Sequence, residues 1–247
     1  MLRRLVGDLH VHTFLSPCAA REMSPRAVVA RCVALGLDII AITDHNSGLN
    51  VEQTVFEARG TELAVIGGIE VQTREEVHVI TLLPDLESLA KWDASVRRAL
   101  PPGQNTPEIF GEQWVVNPRA GSTRQETAFL AARTTLSIDE VVSRVGRLGG
   151  LCIPAHVDRP SFSMLGQLGF IPPHLDLPAL EVSRNVNEDQ ARRTLPAAAG
   201  RRLVCSSDAH TLSDIGTGCS VFTVERPTLP EIIMAVRGEG GRNVEIE

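Results

Sequence analysis

The 247-residue chain contains seven histidines, and their placement carries the first chemical information. Asp8-Leu9-His10-Val11-His12 is a D-x-H-x-H pattern in an apolar run. Successive strand residues face opposite sides, so Asp8, His10 and His12 are predicted to share one face, with Leu9 and Val11 on the other. Two imidazoles on one side can ligate one metal ion, and a carboxylate beside them can hold their tautomer. The pattern then repeats in other forms. The run from Ile39 to Ile42 leads into Thr43-Asp44-His45, and Gly67-Gly68-Ile69 leads into Glu70. His78 lies within the apolar stretch Val77–Leu83, and His156 follows Pro154-Ala155. Asp208 and His210 stand two apart in Ser206-Ser207-Asp208-Ala209-His210. Imidazoles and carboxylates together suit Zn, Fe or Mn. The candidate ligands are too many for one ion, so two to three divalent ions are expected, with Glu70 placed to bridge. Clustered cations are a common device for hydrolysing phosphate esters. They lower the pKa of bound water, polarise the phosphoryl oxygens and stabilise the leaving oxygen.

Short apolar runs alternating with helical stretches must position these residues. Leu5–His12, Asp38–Thr43, Leu63–Val71, Val77–Leu83, Leu151–Ala155, Ala179–Val182, Arg202–Ser206 and Cys219–Val224 are predicted strands. Ser24–Leu35 reads as a helix with Ser24 as N-cap, Pro25 at its first position and Gly36 closing it. Val51–Arg59 and Glu188–Ala198 read as helices. Ser137–Leu148 carries a capping box, Ser137 with Glu140, and Thr228 with Glu231 is predicted to cap a last helix. Strands alternating with helices argue a parallel sheet, and this many units argue a closed or nearly closed α/β barrel. In such a barrel the strand C-termini gather on one face, which would bring six of the seven histidines together with Glu70 and Asp208. His174, in Pro172-Pro173-His174, lies off every motif and reads as a surface residue.

One stretch breaks the rhythm. Pro101–Arg133 is rich in Pro, Gly, Asn and polar residues, and residues 101–135 are expected to form an insertion within a single domain spanning 1–247. Gln113–Asn117 and Thr123–Phe129 are predicted to pair as a hairpin around Pro118–Gly121. The insertion can vary freely as a surface loop, or act as a lid or as a contact through which the chain oligomerises.

Composition narrows the classes. Hydrophobic residues make up 43% and charged residues 22%, which argues against intrinsic disorder. The net charge of −6 gives no basic footprint, so a nucleic-acid partner is not expected. No apolar run approaches the roughly 18 residues of a membrane helix. No signal-peptide core fits before Asp8. The five cysteines, Cys18, Cys32, Cys152, Cys205 and Cys219, are scattered and form no C-x-x-C pair. A reducing, cytoplasmic setting is therefore expected.

The ordered set D-L-H-V-H-T, I-T-D-H-N, G-I-E, V-H-V-I, P-A-H and S-S-D-A-H resembles the PHP (polymerase and histidinol phosphatase) superfamily of metal-dependent phosphoesterases, from Asp8 to His210. The resemblance implies a distorted (β/α)7, TIM-like barrel and a trinuclear metal site. It implies that His10, His12, Glu70 and Asp208 hold the first ion, and that Glu70 bridges to a second held by His78 and His156. It implies a third ion on His45 and His210. The family usually offers a further His or Asp for that third site where Cys18 stands here, and a thiolate is a sound ligand for Zn or Fe. The other four cysteines read as core packing.

By the same resemblance Arg159, in H-V-D-R-P-S, corresponds to an arginine that grips phosphate. Arg184 follows a predicted strand and so falls on the same face. A guanidinium matches phosphate in a bidentate way. Arg124 and Arg133 are weaker candidates, and Asp8 and Asp44 are expected to orient histidines. The chain is thus expected to be a hydrolase acting on a small phosphomonoester, such as a nucleotide, a sugar phosphate or histidinol phosphate. Attack would come from a metal-bridging hydroxide, with Glu70, Asp208, His210 and Arg159 at the reacting end. A phosphodiesterase or exonuclease of the same family and a non-catalytic metal-binding module are the alternatives. Amidohydrolases also open with H-x-H, but many need a bridging lysine, and the sole lysine, Lys91, lies in a helical stretch.

Overall fold

The computed structural model describes residues 1–118 and 121–246. Eleven strands are formed among them: β1 (Arg3–Val11), β2 (Ile39–Ile42), β3 (Ala64–Gln72), β4 (His78–Leu83), β5 (Trp114–Val116), β6 (Thr123–Gln125), β7 (Leu151–Pro154), β8 (Ala179–Ser183), β9 (Arg202–Ser206), β10 (Ser220–Val224) and β11 (Asn243–Ile246). Seven make one curled sheet in the order β11-β10-β1-β2-β3-β4-β7, while β8 and β9 pair separately, as do β5 and β6.

The expected parallel sheet forms only in part. β1, β2 and β3 are parallel neighbours, but β3–β4, β4–β7, β1–β10 and β10–β11 are antiparallel. The reason for β4 lies in the chain. A parallel crossover needs about a dozen residues or more, and the Thr73–Val77 link between β3 and β4 allows only a hairpin return. The reversal matters for the site, because it sets His78, the first residue of β4, opposite Gln72 at the end of β3. The curled sheet makes a half-barrel with the parallel β8–β9 pair beside it, a mixed α/β architecture consistent with the TIM-like barrel expected. A backbone bridge from Val11 to Ala209 ties the end of β1 to the residues after β9.

Alternation along the strands divides the core in two. In β2, Ile39 and Ala41 join one cluster, and Ile40 and Ile42 the other. The first cluster collects Leu5, Leu9, Ile66, Ile80, Leu82, Ile153, Ala179, Val204 and Phe222 from both sheets. Helix Leu229–Arg237 packs into it through Leu229, Ile232, Ala235 and Val236. The second cluster lies against helices such as Pro25–Leu35, Leu86–Ala99 and Ile138–Arg147. Burying so many branched side chains at roughly 25 cal/mol per Å² is the main force holding the layers together. Trp92, fully buried, donates its indole N–H to Thr81 Oγ1 at 2.9 Å.

Local signals map closely onto the helices. Ser24 caps Pro25–Leu35 and Gly36 closes it in the left-handed region. The Ser137–Glu140 capping box is formed. Two expectations need correction. Thr228 precedes the last helix without a side-chain cap bond, and the reciprocal half of the box is missing because the Glu231 carboxylate accepts from the Glu225 N–H and the Arg242 guanidinium. The helix starting at Glu188 ends at Thr194, and Pro196 begins a separate 3-10 turn to Ala198.

The 101–135 segment does contain a hairpin, shorter than predicted, with Trp114–Val116 paired to Thr123–Gln125. Residues 119 and 120 of its predicted Pro118–Gly121 turn lie outside the described residues. Two asparagines fasten the segment to the loops after β2. Asn46 Nδ2 donates to the Leu130 and Ala132 carbonyls at 2.7 and 2.8 Å. Asn50 donates to the Trp114 carbonyl and accepts from the Val116 N–H, both at 2.9 Å.

Candidate metal centre

β1 gains one residue on β2 between Asp8 and Val11. This bulge breaks the alternation at the first motif, as bulges do when they re-aim a side chain. His10 and His12 stay together, with their Nε2 atoms 3.1 Å apart. Asp8, expected beside them, instead accepts from the Ser207 N–H at 3.0 Å, the Ser207 hydroxyl at 2.5 Å and the Gly216 N–H at 3.2 Å. It braces the backbone that leads into Asp208. Burial, only partly offset by these bonds, raises its carboxyl to about 6.

Glu70 is the hub. Its Oε1 lies 2.9 Å from His78 Nδ1, 3.3 Å from His10 Nε2 and 3.4 Å from His156 Nε2. Its Oε2 lies 2.8 Å from His45 Nδ1 and 3.5 Å from His12 Nε2. The preceding Gly68 lets β3 and β4 close up, since a Cβ there would sit 2.7 Å from the Thr81 carbonyl oxygen. Burial opposes ionisation of Glu70, yet His78, His10 and His45 hold it well below the ordinary glutamate range. His12 is driven the other way, well below the usual histidine range, by burial and by His210.

Asp208 Oδ1 lies 3.2 Å from His12 Nε2 and 3.3 Å from His10 Nε2. Burial resists its ionisation, but His10 and His12 pull its carboxyl below the usual aspartate range. His210 Nδ1 donates to the Asp208 carbonyl at 2.8 Å, which turns Nε2 toward Cys18 Sγ at 3.1 Å. Against the effect of burial, His210 and His45 lower the exposed Cys18 thiol to about 6. Asn46, His156 and Asp208 all have positive φ, at 48°, 32° and 51°. Such backbone is costly for these residues and gathers where function fixes a side chain.

Two positioning groups escaped the sequence reading. Buried Glu181 on β8 meets His10 Nδ1 at 3.1 Å and accepts from the His156 N–H at 3.0 Å. Its signal was a carboxylate inside an apolar strand, the same signal that marks Glu70. Ser16 Oγ lies between His12 Nδ1 and Asp44, at 2.8 Å from each. Asp44 also accepts from the Thr13 N–H and hydroxyl, both at 2.7 Å. It therefore orients His12 as expected, but through Ser16. In both cases Nδ1 is spent on an orienting partner and Nε2 is left for the cluster, the usual arrangement around metal-binding imidazoles.

A pocket of about 350 Å³ opens at the cluster, lined by Glu70, Asp208, four of the histidines, Arg159 and the stretch from Pro160 to Phe162. Arg159 reaches Asp208 Oδ2 at 2.6 Å. Arg184 does not line this pocket. Its guanidinium is bound to Asp214 at 2.9 Å and Thr217 at 2.8 Å. Arg124 pairs with Glu126, Arg133 with Glu76, and exposed His174 with Asp139. Cys32, Cys152, Cys205 and Cys219 are buried, and burial raises the Cys32 and Cys205 thiols to about 12.

The donor set fits divalent metal ions. Both Glu70 oxygens and His156 Nδ1 are buried without a hydrogen-bond partner, despite the nitrogens around the carboxylate. Unserved buried polar atoms are expensive, and a cation among them removes that cost. Three groups of ligand atoms converge within 4.8 Å: His10-His12-Asp208, His45-Glu70-His78 and His12-His45-His210.

Several known proteins resemble this chain in sequence or fold. A 5′-3′ exoribonuclease from Haemophilus influenzae is 28% identical over 78 residues, covering 30% of this chain and 27% of that protein. The lesion-specific endonuclease Q from Pyrococcus furiosus superposes with a TM-score of 0.74 at 20% identity, covering 98% of this chain and 58% of that one. PsfC from Pseudomonas syringae gives a TM-score of 0.61 at 16% identity, covering 99% and 92%. The chain thus spans about a quarter of the curated relative and somewhat over half of the endonuclease, and at these identities the two structures establish the fold alone. The PHP domain family model matches residues 8–162, well over half of the chain and every motif from Asp8 to His156, so the chain belongs to the PHP domain family.

Proposed function

We propose that the chain is a metal-dependent hydrolase of phosphate esters. The observation that carries this is the buried Glu70 carboxylate, with five imidazoles within 3.5 Å. His10, His12, Glu70 and Asp208 are assigned to a first ion, Glu70, His78 and His156 to a second, and His45, His210 and Cys18 to a third. Bound Zn, Mn or Fe would supply Lewis acidity and a lowered pKa for water. The chain's own residues do the rest. Glu181 and Ser16 hold the His10 and His12 tautomers. Arg159, held by Asp208 at the pocket, keeps further N–H donors for a phosphoryl oxygen. Arg184, tied to Asp214 and Thr217, is left out of the phosphate grip.

The pocket volume suits a small phosphomonoester. A nucleic-acid ester is the second reading, favoured by the likeness to endonuclease Q, which is also known with a 27-mer duplex bearing an abasic lesion at its active site. The exoribonuclease relative points the same way. These likenesses weigh against the expectation, drawn from net charge and the lack of a basic track or fused chain, that no nucleic-acid partner is involved. Residues 101–135 are read as an insertion into one domain that carries the whole site. Among the described residues no helix is long and apolar enough to cross a membrane, and a cytoplasmic setting is proposed on the scattered free cysteines.

The test is hydrolysis of a chromogenic phosphomonoester after reconstitution with Mn, Zn or anaerobic Fe, with His12→Ala as control and a DNA 3′ end as parallel substrate. Turnover that needs both metal and His12 supports the reading. Full activity in His12→Ala, or no turnover of any ester despite bound metal, overturns it.

A further inference from the structure

Phe162 is the only phenylalanine, tyrosine or tryptophan among the described residues lining the metal pocket. It is 42% exposed, although phenylalanine is usually buried. Its φ is 57°, a region that a bulky side chain seldom adopts because Cβ crowds the backbone. The surroundings enforce this geometry. The Phe162 carbonyl accepts from the His78 N–H at 2.8 Å, pinning the loop to the start of β4. Ser163 donates to the Arg159 carbonyl at 2.5 Å and caps helix Met164–Leu168. Gly166 lies close under the same loop, where a Cβ would fall 2.4 Å from the Pro160 oxygen.

The result is a ring lying 4.9 Å from the His78 imidazole, with only 18° between their planes. One face rests on the His78 ring, and the side chain remains partly open to solvent at the pocket. A side chain serving only to cover His78 needs neither positive φ nor such exposure. A fixed, exposed aromatic surface is what a planar ring stacks on, and stacking is how proteins commonly hold a base without reading its edges. Arg159, three residues earlier on the same loop, stands ready for the phosphate.

We infer that Phe162 is a stacking platform for the base of a nucleoside phosphate, free or at a strand end, and that it sets the specificity of the site. The inference rests on the phosphoesterase reading and deepens it.

The experiment compares kcat/KM for adenosine monophosphate and for ribose phosphate, which lacks the base, on the metal-reconstituted protein. The wild type is expected to favour the nucleotide. In Phe162→Leu the nucleotide-to-ribose-phosphate ratio should fall about tenfold, and Phe162→Trp should restore it. Using the ratio cancels any disturbance of His78 or of the metals, since both esters need them. An unchanged ratio in Phe162→Leu overturns the inference, as does a wild type with no preference for the nucleotide. Turnover of the chromogenic ester with none of the nucleotide removes this inference alone, whereas no turnover of any ester removes the reading beneath it.

Discussion

The Glu181 carboxylate lies 3.1 Å from His10 Nδ1, and both side chains are fully buried. The same carboxylate accepts the backbone N–H of His156, so one group from β8 fixes residues from β1 and from the end of β7. Glu181→Gln keeps the size and removes the charge. Metal affinity should fall about 10–100-fold, the usual effect of losing a carboxylate behind a ligating imidazole. Chelator competition measures this directly, with circular dichroism to confirm the fold. An affinity equal to wild type would reduce Glu181 to a packing role.

The site was more legible than the sheet. His10, His12, His45, Glu70, His156, Asp208 and His210 each follow or end an apolar run, and buried strands advertise such polar ends. Glu181 shows the same pattern in Ala179–Ser183 but stands alone, with no histidine beside it in sequence. The misplacement of Asp8 has a physical cause. Alternation assumes an unbroken ladder, and the extra residue between Asp8 and Val11 is a property of pairing with β2. The reversal of β4 was legible in principle, because the Thr73–Val77 link is too short for a crossover. The Phe162 backbone left no trace in sequence, since its φ is imposed by hydrogen bonds to His78 and around Ser163.

Ser16 offers a second test of tautomer control. Its hydroxyl donates to Asp44, so it must accept from His12 Nδ1–H, leaving Nε2 unprotonated toward Asp208 and Glu70. Ser16→Ala deletes that acceptor without touching a candidate ligand. A loss of about tenfold in metal affinity is expected, with thermal stability lowered by no more than about 1–2 kcal/mol. A large stability loss with affinity intact would mark Ser16 as structural.

Cys18 can be examined without any substrate. Its Sγ lies 3.1 Å from His210 Nε2, and its thiol, lowered to about 6, is mostly thiolate at neutral pH. A thiolate bound to Co(II) gives an intense near-ultraviolet charge-transfer band. That band is expected in the cobalt-loaded protein and should vanish in Cys18→Ser, with one ion fewer bound per chain. The four buried cysteines serve as internal controls, since the Cys18→Ser protein retains them. A band that survives the substitution would locate the thiolate elsewhere and leave the third group of ligands without its sulfur.

Glu126 makes the pH dependence of the 101–135 segment predictable. Its carboxylate bonds Arg97 at 2.7 Å, Arg124 at 3.2 Å and the Ala128 N–H at 3.0 Å. Burial opposes ionisation, yet these partners, Arg97 foremost, lower its pKa from 4.5 to about 2. A carboxyl depressed in the folded state stabilises fully above its unfolded pKa and loses that contribution as protons bind. The stabilisation is therefore complete above pH 4.5 and fades as pH falls toward 2. Glu126→Gln should cost about 1–2 kcal/mol at neutral pH, a figure kept small because both arginines are partly exposed and screened. Its deficit relative to wild type should shrink as the pH drops through that window. Urea titrations of both proteins at several pH values measure the difference, and a deficit that stays constant down to low pH would exclude the Arg97–Glu126 pair as its source.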